Sequence, residues 1–212
     1  MLDHIPETPS IKHCKTYVEK WHNTQTYEET DNALHLLFIE LFPNNDSMSG
    51  VLLKTSALND FYTTNIFNTY AVAEHICKLR IDDRLRAGDL KLIEEIARVE
   101  LPGNRMRRFY SFASKYCSHH QPEKYAIYDS YVDEMLRYFR DADKFAEFSN
   151  NNLRQYKLFM EAIEQFQDYY HLEGFTLRDI DRYLWQLGKE CIHHQQPKGA
   201  KRNPDSSSEV SS

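Results

Sequence analysis

An aspartate that follows a short apolar run is the residue of this chain best suited to chemistry. The apolar run covers residues 125–128, Asp129 ends it, and a helical pattern resumes at Ser130. At a helix N-terminus, a carboxylate accepts backbone N–H bonds as a cap and stays ionised beside the positive end of the helix dipole. Beside a cleft, the same carboxylate can stabilise a developing cation or orient a water molecule. Asp129 is therefore the candidate catalytic carboxylate, with capping alone as the alternative.

The segment before Asp129 is locally basic, although the chain as a whole is acidic. No Asp or Glu occurs between positions 100 and 123, and this gap contains Arg105, Arg107 and Arg108. Helical spacing predicts a helix over residues 107–119, so these arginines are expected at its N-terminal end. Free backbone N–H groups at such an end already favour an anion. The pattern predicts a grip on the phosphates of a nucleic acid, and a solvated helix start is the alternative.

Lys115, inside the same predicted helix, is the candidate amine nucleophile. A lysine beside a cleft can form a Schiff base when burial or neighbouring positive charge favours its neutral amine. An ordinary surface lysine is the alternative interpretation.

Aromatic residues near the C-terminal end offer a pocket for a base. Trp185 and Lys189 are four residues apart on the last predicted helix and share a face. A base or sugar can stack on such an indole. With Tyr128 they are the candidate base-pocket residues, and a core tryptophan covered by a snorkelling lysine is the alternative.

Composition limits the classes of function. The chain has 212 residues and a formal net charge of -6, which excludes a strongly basic nucleic-acid-binding protein but allows a local basic patch. Two histidine pairs, at 119–120 and 193–194, are weak metal candidates because adjacent residues diverge on a helix. We expect no metal and no cofactor. The chain shows no signal peptide and no long apolar run, so a cytoplasmic protein without membrane contact is expected.

Hydrophobic spacing predicts an all-α protein of about eight helices joined by short loops and without strands, and its length fits one domain or two small lobes that share a core. Two patterns, at 26–29 and 176–179, are typical of capping boxes that open helices. Residues 1–194 are expected to form one helical domain, and the resemblance described below implies two lobes that share a cleft. The polar residues 195–212 are expected to form a disordered tail.

The order of turn, helix, apolar loop, aspartate and helix resembles the helix-hairpin-helix superfamily of DNA base-excision glycosylases. Within it, the chain is most similar to the 8-oxoguanine DNA glycosylase/abasic-site lyases of bacterial and archaeal type. Three segments carry the likeness, at 112–129, 51–62 and 179–185, and together they suggest a likeness over most of residues 50–192. The resemblance implies a helical enzyme that flips a damaged nucleotide of DNA into a pocket between two lobes.

The resemblance also implies roles for individual residues. Asp129 would stabilise the positive charge of the sugar as the base leaves, and Trp185 would line the base pocket. The arginines at 105–108 would lie near the hairpin that holds DNA phosphates.

The chain departs from the family at the hairpin. There the family has a glycine-x-glycine turn that leads into the lysine forming the Schiff base. Here only Gly103 is present, and the position of that lysine falls at or near Ser111. Lys115 lies about one helical turn further on, which puts strand cleavage by β-elimination in doubt.

Two other classes of function remain open. The same cleft can bind a nucleotide, a modified base or a nucleic-acid end without turnover, and the net acidity and the displaced lysine favour this alternative. Relatives of glycosylases also occur as accessory proteins in bacterial antiphage defence, which such a binding protein would resemble. The remaining class is a helical scaffold that binds a protein partner and uses its aromatic residues only as a core.

Overall fold

The computed structural model describes residues 4–192, which form helices and one small β-hairpin. The predicted all-helical class is confirmed at this level, with ten α-helices in the described residues rather than about eight. The predicted tail at 195–212 and the histidine pair at 193–194 lie outside the described residues. No helix within 4–192 is long and apolar enough to cross a membrane.

The elements before the hairpin are helices of six to fourteen residues. They are α1 (Ile11–His22), α2 (Gln25–His35), a π-helix (Leu36–Leu41) that continues α2, α3 (Met48–Phe61), α4 (Thr69–Leu79), α5 (Asp82–Ala87) and α6 (Leu92–Ala97). The capping box predicted at 26–29 is wrong. The helix begins at Gln25, and Thr24 precedes it without a side-chain cap bond.

The elements after the hairpin are four α-helices and a 3-10 turn. They are α7 (Tyr110–His120), α8 (Ser130–Asp143), the 3-10 turn (Asn152–Arg154), α9 (Tyr156–Tyr169) and α10 (Leu177–Cys191). The capping box predicted at 176–179 is confirmed: the Thr176 hydroxyl accepts from the Asp179 amide, and the Asp179 carboxylate accepts from the Thr176 amide.

A two-stranded antiparallel hairpin joins α6 to α7, which corrects the expectation of a chain without strands. Strand β1 (Arg98–Leu101) pairs with β2 (Arg105–Arg108). The turn between them contains Gly103 and Asn104, whose φ angles of 81° and 54° suit glycine and asparagine. All four residues of β2 are exposed, so the strand has no apolar alternation by which a sequence pattern would reveal it.

Helix α7 contains several buried polar side chains. Every residue of the helix except Ser111 is buried, including Lys115 and His119. The helix packs against α3, α6 and the π-helix, so these polar side chains have to find hydrogen-bond partners inside the protein.

Helices α8 and α10 approach each other closely at Gly188. A Cβ atom at this glycine would lie 2.8 Å from Cβ of Tyr131 and 3.1 Å from its carbonyl oxygen. The missing side chain therefore allows α10 to pack directly on the first turn of α8. This contact brings Asp181 and Trp185 on α10 close to Asp129, the N-cap of α8.

Candidate functional site

A cavity of about 240 Å³ is lined by residues of α1, α2, α3, α7 and α10 and by the loop that ends at Asp129. Its wall is aromatic, and its polar lining includes four ionisable side chains. The aromatic residues are Trp21, Tyr27, Phe61, Tyr62 and Trp185, and the ionisable residues are Asp31, Lys115, Asp129 and Asp181. Three residues singled out from the sequence, Lys115, Asp129 and Trp185, thus lie around one cavity.

Lys115 and Asp129 form an ion pair at this cavity. The Lys115 Nζ atom lies 3.2 Å from Asp129 Oδ2, and the lysine is almost wholly buried. Nζ also donates to the Ser111 hydroxyl at 2.7 Å and lies 5.1 Å from the centre of the Tyr62 ring. The two side chains are therefore close enough to act on the same bound molecule.

The position of the lysine amine follows from helix geometry. Long side chains on an α-helix point toward its N-terminus, so the end of a side chain covers the preceding turn. Lys115 follows this rule, because its Nζ lies beside the Ser111 side chain, one turn earlier. Ser111 is the position at which the resemblance placed a lysine.

Asp129 acts as a helix cap and as a cavity residue at the same time. Its Oδ1 accepts from the Tyr131 amide at 3.0 Å, so the predicted cap of α8 is confirmed. Its Oδ2 faces Lys115, and 20% of the side chain remains exposed. The capping bond therefore leaves one carboxylate oxygen at the cavity.

Asp181 is a site residue that the sequence interpretation missed. It lines the cavity, and its buried Oδ1 has no hydrogen-bond partner. Burial raises the pKa of Asp181 to about 7, and the nearby Arg178 and Lys115 cations oppose the rise. A signal was present, because Asp181 precedes Trp185 by four residues and so shares its helix face.

Asp31, in contrast, is bound to the aromatic wall through one carboxylate oxygen. Its Oδ2 accepts from Arg182 at 2.8 Å and from the Trp21 indole nitrogen at 3.0 Å. This carboxylate holds the aromatic wall in place, which leaves Asp129 and Asp181 as the carboxyl groups available to a ligand.

A chain of hydrogen bonds fixes Tyr62, which lines both the cavity and the depression outside it. An Arg178 guanidinium nitrogen lies 2.8 Å from His119 Nδ1, and His119 Nε2 lies 2.9 Å from the Tyr62 hydroxyl. Arginine only donates, so Nδ1 accepts and Nε2 carries the proton. Burial, followed by the Arg178 charge, holds the pKa of His119 well below its ordinary value. His119 is thus a neutral imidazole that positions Tyr62.

The arginines of the basic segment lie on β2 rather than at a helix N-terminus, which corrects their expected placement. Arg108 pairs with Glu94 at 2.7 Å, and its guanidinium carbon lies 4.2 Å from the centre of the Tyr110 ring. Arg105 and Arg107 are exposed and have no carboxylate partner among residues 4–192. The structure places none of the three in the cavity.

The other two candidate base-pocket residues lie beside the cavity rather than in its lining. Lys189 covers the Trp185 ring at 4.7 Å and donates to the Tyr27 hydroxyl at 3.0 Å. Tyr128 is buried, its hydroxyl donates to Asp133 at 2.8 Å, and its carbonyl oxygen lies 3.4 Å from Lys115 Nζ.

The histidine pair at 119–120 is occupied by internal contacts. His120 lies 3.1 Å from Lys54 Nζ, and His119 holds Tyr62. Within residues 4–192, no group of three His, Cys, Asp or Glu side chains is arranged to hold a metal ion.

Fold and site together define a mostly helical protein with a lysine–aspartate pair at an aromatic cavity. Residues 13–124 match the protein family HI_0787_N, described as an N-terminal domain, and the chain belongs to this family. The matched segment includes Lys115 and ends before Asp129.

A protein of Haemophilus influenzae, which bears the name "Uncharacterized protein", is 45% identical over 135 residues. The match covers 63% of this chain and 64% of that relative, so the chain spans slightly under two thirds of its length. No solved structure matches the chain.

Proposed function

We propose that this protein is an N-glycosylase-like enzyme that takes a nucleoside of a nucleic acid, with DNA favoured, into the aromatic cavity. There it cleaves the bond between sugar and base, and Asp129 is the catalytic carboxylate. The observation that carries the proposal is the Oδ2 of Asp129, which faces an aromatic cavity beside a buried lysine. Aromatic walls suit the flat faces of a base, as in other enzymes that flip their target nucleotide.

The reaction uses the two carboxyl groups of the cavity in different ways. The bond between C1′ of the sugar and the ring nitrogen breaks, and its electron pair leaves with the base. Asp129 stabilises the positive charge that develops on the sugar. Water then adds to C1′ and releases a proton to solvent, which completes a hydrolysis.

Asp181 supplies the proton that the departing base needs. A carboxyl group with a pKa of about 7 is about half protonated at neutral pH, which suits a general acid. Asp181 lines the cavity, so its carboxyl group lies next to the space that the base would occupy. Asp129 and Asp181 would thus divide the roles of anion and acid, as pairs of carboxyl groups do when their environments differ.

Lys115 would add a second step, cleavage of the abasic strand through a Schiff base. Lys115 lies in an ion pair with Asp129, and an ammonium group has no lone pair for attack. The lysine would first have to pass its proton to Asp129 or to the departing base. We therefore propose base removal as the main activity and strand cleavage as the weaker one.

The element order supports a helix-hairpin-helix glycosylase-like fold as part of the same proposal. A turn, α7, an extended loop, Asp129 and α8 follow one another in the order that carries the resemblance to that superfamily, although a β-hairpin stands before α7. Among damaged bases, 8-oxoguanine is the first to test.

The test is the release of free base from oligonucleotides that carry one modified base each, with 8-oxoguanine first, detected by mass spectrometry. Release by the wild-type protein, abolished in Asp129→Asn, is the expected result. The matched control is Asp89→Asn, an aspartate that lines a different depression and pairs with Arg84. No release from any substrate would contradict the enzymatic proposal.

Borohydride reduction decides the lyase step separately. It converts a Schiff base between Lys115 and the sugar into a stable amine, so a covalent adduct that is absent from Lys115→Met would support strand cleavage. Absence of any adduct in the wild type would remove that step alone.

The ion pair also favours a second candidate, a protein that binds a modified nucleotide without turnover. A lysine paired with Asp129 is suited to contact an anionic or carbonyl group of a ligand without forming a covalent bond to it. Saturable binding of an oligonucleotide or nucleotide without base release, weakened in Lys115→Met, would favour this candidate. An accessory role in antiphage defence belongs to this second candidate.

A further inference from the structure

We infer that a groove beside the cavity binds a single-stranded segment of nucleic acid that flanks the nucleoside. The inference rests on the proposed function, because the strand is the one that carries that nucleoside. It concerns a different surface from the cavity and depends on different residues.

The groove is continuous with the cavity. A depression of about 490 Å³ shares Tyr62 and Asp129 with the cavity lining. A second depression of about 560 Å³ shares Thr64, Asn65 and two further residues with the first and extends to the β-hairpin. We call these two depressions together the hairpin groove.

The hairpin groove is cationic. Arg105, Arg107, Arg108 and Arg154 line it, and Asp129 at the cavity end is the one carboxylate among its described lining residues. Arg105 and Arg107 are two residues apart on β2, so their side chains leave the same face about 7 Å apart. This spacing is close to that of neighbouring phosphates along an extended strand, and neither guanidinium has an acidic partner within 4–192.

A fully exposed phenylalanine stands at the hairpin end of the groove. The side chain of Phe67 is 100% exposed, whereas most other phenylalanines of the described chain are buried or half-buried. Surface apolar residues are ordinary when scattered singly, so exposure alone decides nothing. The significance of Phe67 comes from the loop that holds it and from the arginines beside it.

The loop that carries Phe67 is locked in its conformation. The Asn59 side chain accepts from the Ile66 amide at 2.8 Å and from the Thr64 hydroxyl at 2.9 Å, and it donates to the Ile66 carbonyl at 3.1 Å. Asn65 has a φ of 57° in the left-handed region. These hydrogen bonds fix the conformation of the loop next to Phe67, and in this conformation the ring is exposed to solvent.

A single strand matches this combination better than a duplex. An exposed aromatic ring among arginines is the usual platform for single-stranded nucleic acid, since each base has a free face to stack. Inside a duplex, neighbouring bases already cover those faces. The few unpaired arginines of an acidic protein also suit a short strand better than the extended phosphate surface of a duplex.

The experiment measures binding of a fluorescently labelled DNA oligonucleotide of unmodified sequence, as a single strand and as a duplex, by anisotropy with the full chain. The single strand is expected to bind at least about tenfold more tightly. Phe67→Ala should weaken single-strand binding about tenfold, and Phe67→Leu should weaken it less. Arg107→Ala should weaken binding and lower the slope of log affinity against log salt by about one.

Tyr169→Ala and Arg86→Ala serve as matched controls and should bind as the wild type does, since both residues are exposed and lie outside the hairpin groove. Tighter binding of the duplex, or unchanged binding in both Phe67→Ala and Arg107→Ala, would overturn the inference. The two proposals fail separately. Loss of base release alone contradicts the cavity chemistry, and loss of the single-strand preference alone contradicts the groove.

Discussion

Two lysines within residues 4–192 are buried, and their surroundings differ in a way that distinguishes a structural role from a functional one. Lys54 is wholly buried, and its Nζ donates to the carbonyl oxygens of Phe42 and Asn44 and to Asn45 Oδ1 at 2.7–3.0 Å. Lys115 is nearly as buried, but its partners include the carboxylate of Asp129, and a cavity opens beside it.

The difference lies in the charge of the partners and in the space beside them. The partners of Lys54 Nζ are all neutral, namely the three oxygens and the His120 imidazole at 3.1 Å, and the bonds to the oxygens tie the loop after the π-helix to α3. Burial lowers the pKa of Lys54 to about 8, because no carboxylate contacts the ammonium directly. Lys115 has a counterion and room for a ligand. We conclude that Lys54 holds the fold together and that Lys115 belongs to the site.

The largest expected effect separates the two lysines by stability. Lys54→Met should lower the free energy of unfolding by about 3 kcal/mol, because it leaves several buried oxygens without donors. Lys115→Met should change it by less than about 1 kcal/mol, because Asp129 keeps its capping bond and part of its solvent contact. Urea unfolding of both variants measures the difference. Equal losses would erase the distinction between a structural and a functional lysine.

The pH dependence of stability should carry the signature of Lys54. Its pKa is about 8 in the folded state against 10.5 ordinarily, so the unfolded chain binds more protons between these values. The contribution of this lysine to stability therefore rises as pH increases through 8, by about 2 kcal/mol at pH 9.5. Tyrosines and cysteines also titrate in this pH range. The difference in the free energy of unfolding between the wild type and Lys54→Gln therefore isolates the contribution of Lys54. A difference that stays constant from pH 7 to 9.5 would show that Lys54 keeps an ordinary pKa.

Gly188→Ala tests whether the approach of α10 to α8 positions the cavity side. A Cβ 2.8 Å from the Tyr131 side chain forces the helices apart, at a cost of about 1–2 kcal/mol. Trp185 and Asp181 would move away from Asp129. The rate of base release should therefore fall even under conditions in which the variant is still fully folded. The matched control is Gly174→Ala, where nothing lies within 4 Å of the added atom. Full activity in Gly188→Ala would show that the close contact does not matter for the site.

Asp181→Asn should show a gain of stability at alkaline pH. Because burial raises the pKa of Asp181 from 3.8 to about 7, the wild type loses stability as pH rises between these values. Asparagine removes this cost, so the variant should be more stable than the wild type at pH 8 and near wild type at pH 4. Base release by the wild type should decline above pH 7, and the variant should lack this decline and be slow throughout. If the variant were less stable than the wild type at pH 8, the claim that burial of the Asp181 carboxylate costs stability would be wrong.

The long helices could be predicted from the sequence, because their apolar residues repeat at helical spacing. Apolar spacing predicted the long amphipathic helices, and the capping box at Thr176 located the start of α10. Asp129 and Lys115 were candidates because residue type and position at a helix start are visible in one dimension. Their distance of 3.2 Å was not visible, since it depends on how the loop at 125–128 returns to α7.

Other features gave no local signal. The four residues of β2 are all exposed, so nothing distinguishes this strand from a polar helix start. The burial of Lys54 depends on backbone carbonyls ten and twelve residues earlier, and sequence patterns do not report carbonyl positions. Asp181 could have been predicted as a site residue, because it shares a helix face with Trp185. That its Oδ1 atom has no hydrogen-bond partner depends on the packing of the folded structure and is not visible in the sequence.

The central claim is that Asp129 acts on a nucleoside held in the aromatic cavity. The most direct measurement is the single-turnover rate of base release from the best modified oligonucleotide, compared between the wild type and Asp129→Asn. Asparagine keeps the capping oxygen and removes the charge, so we predict a loss of at least about a hundredfold in rate with little change in the free energy of unfolding. An unchanged rate in a folded Asp129→Asn protein would contradict the account.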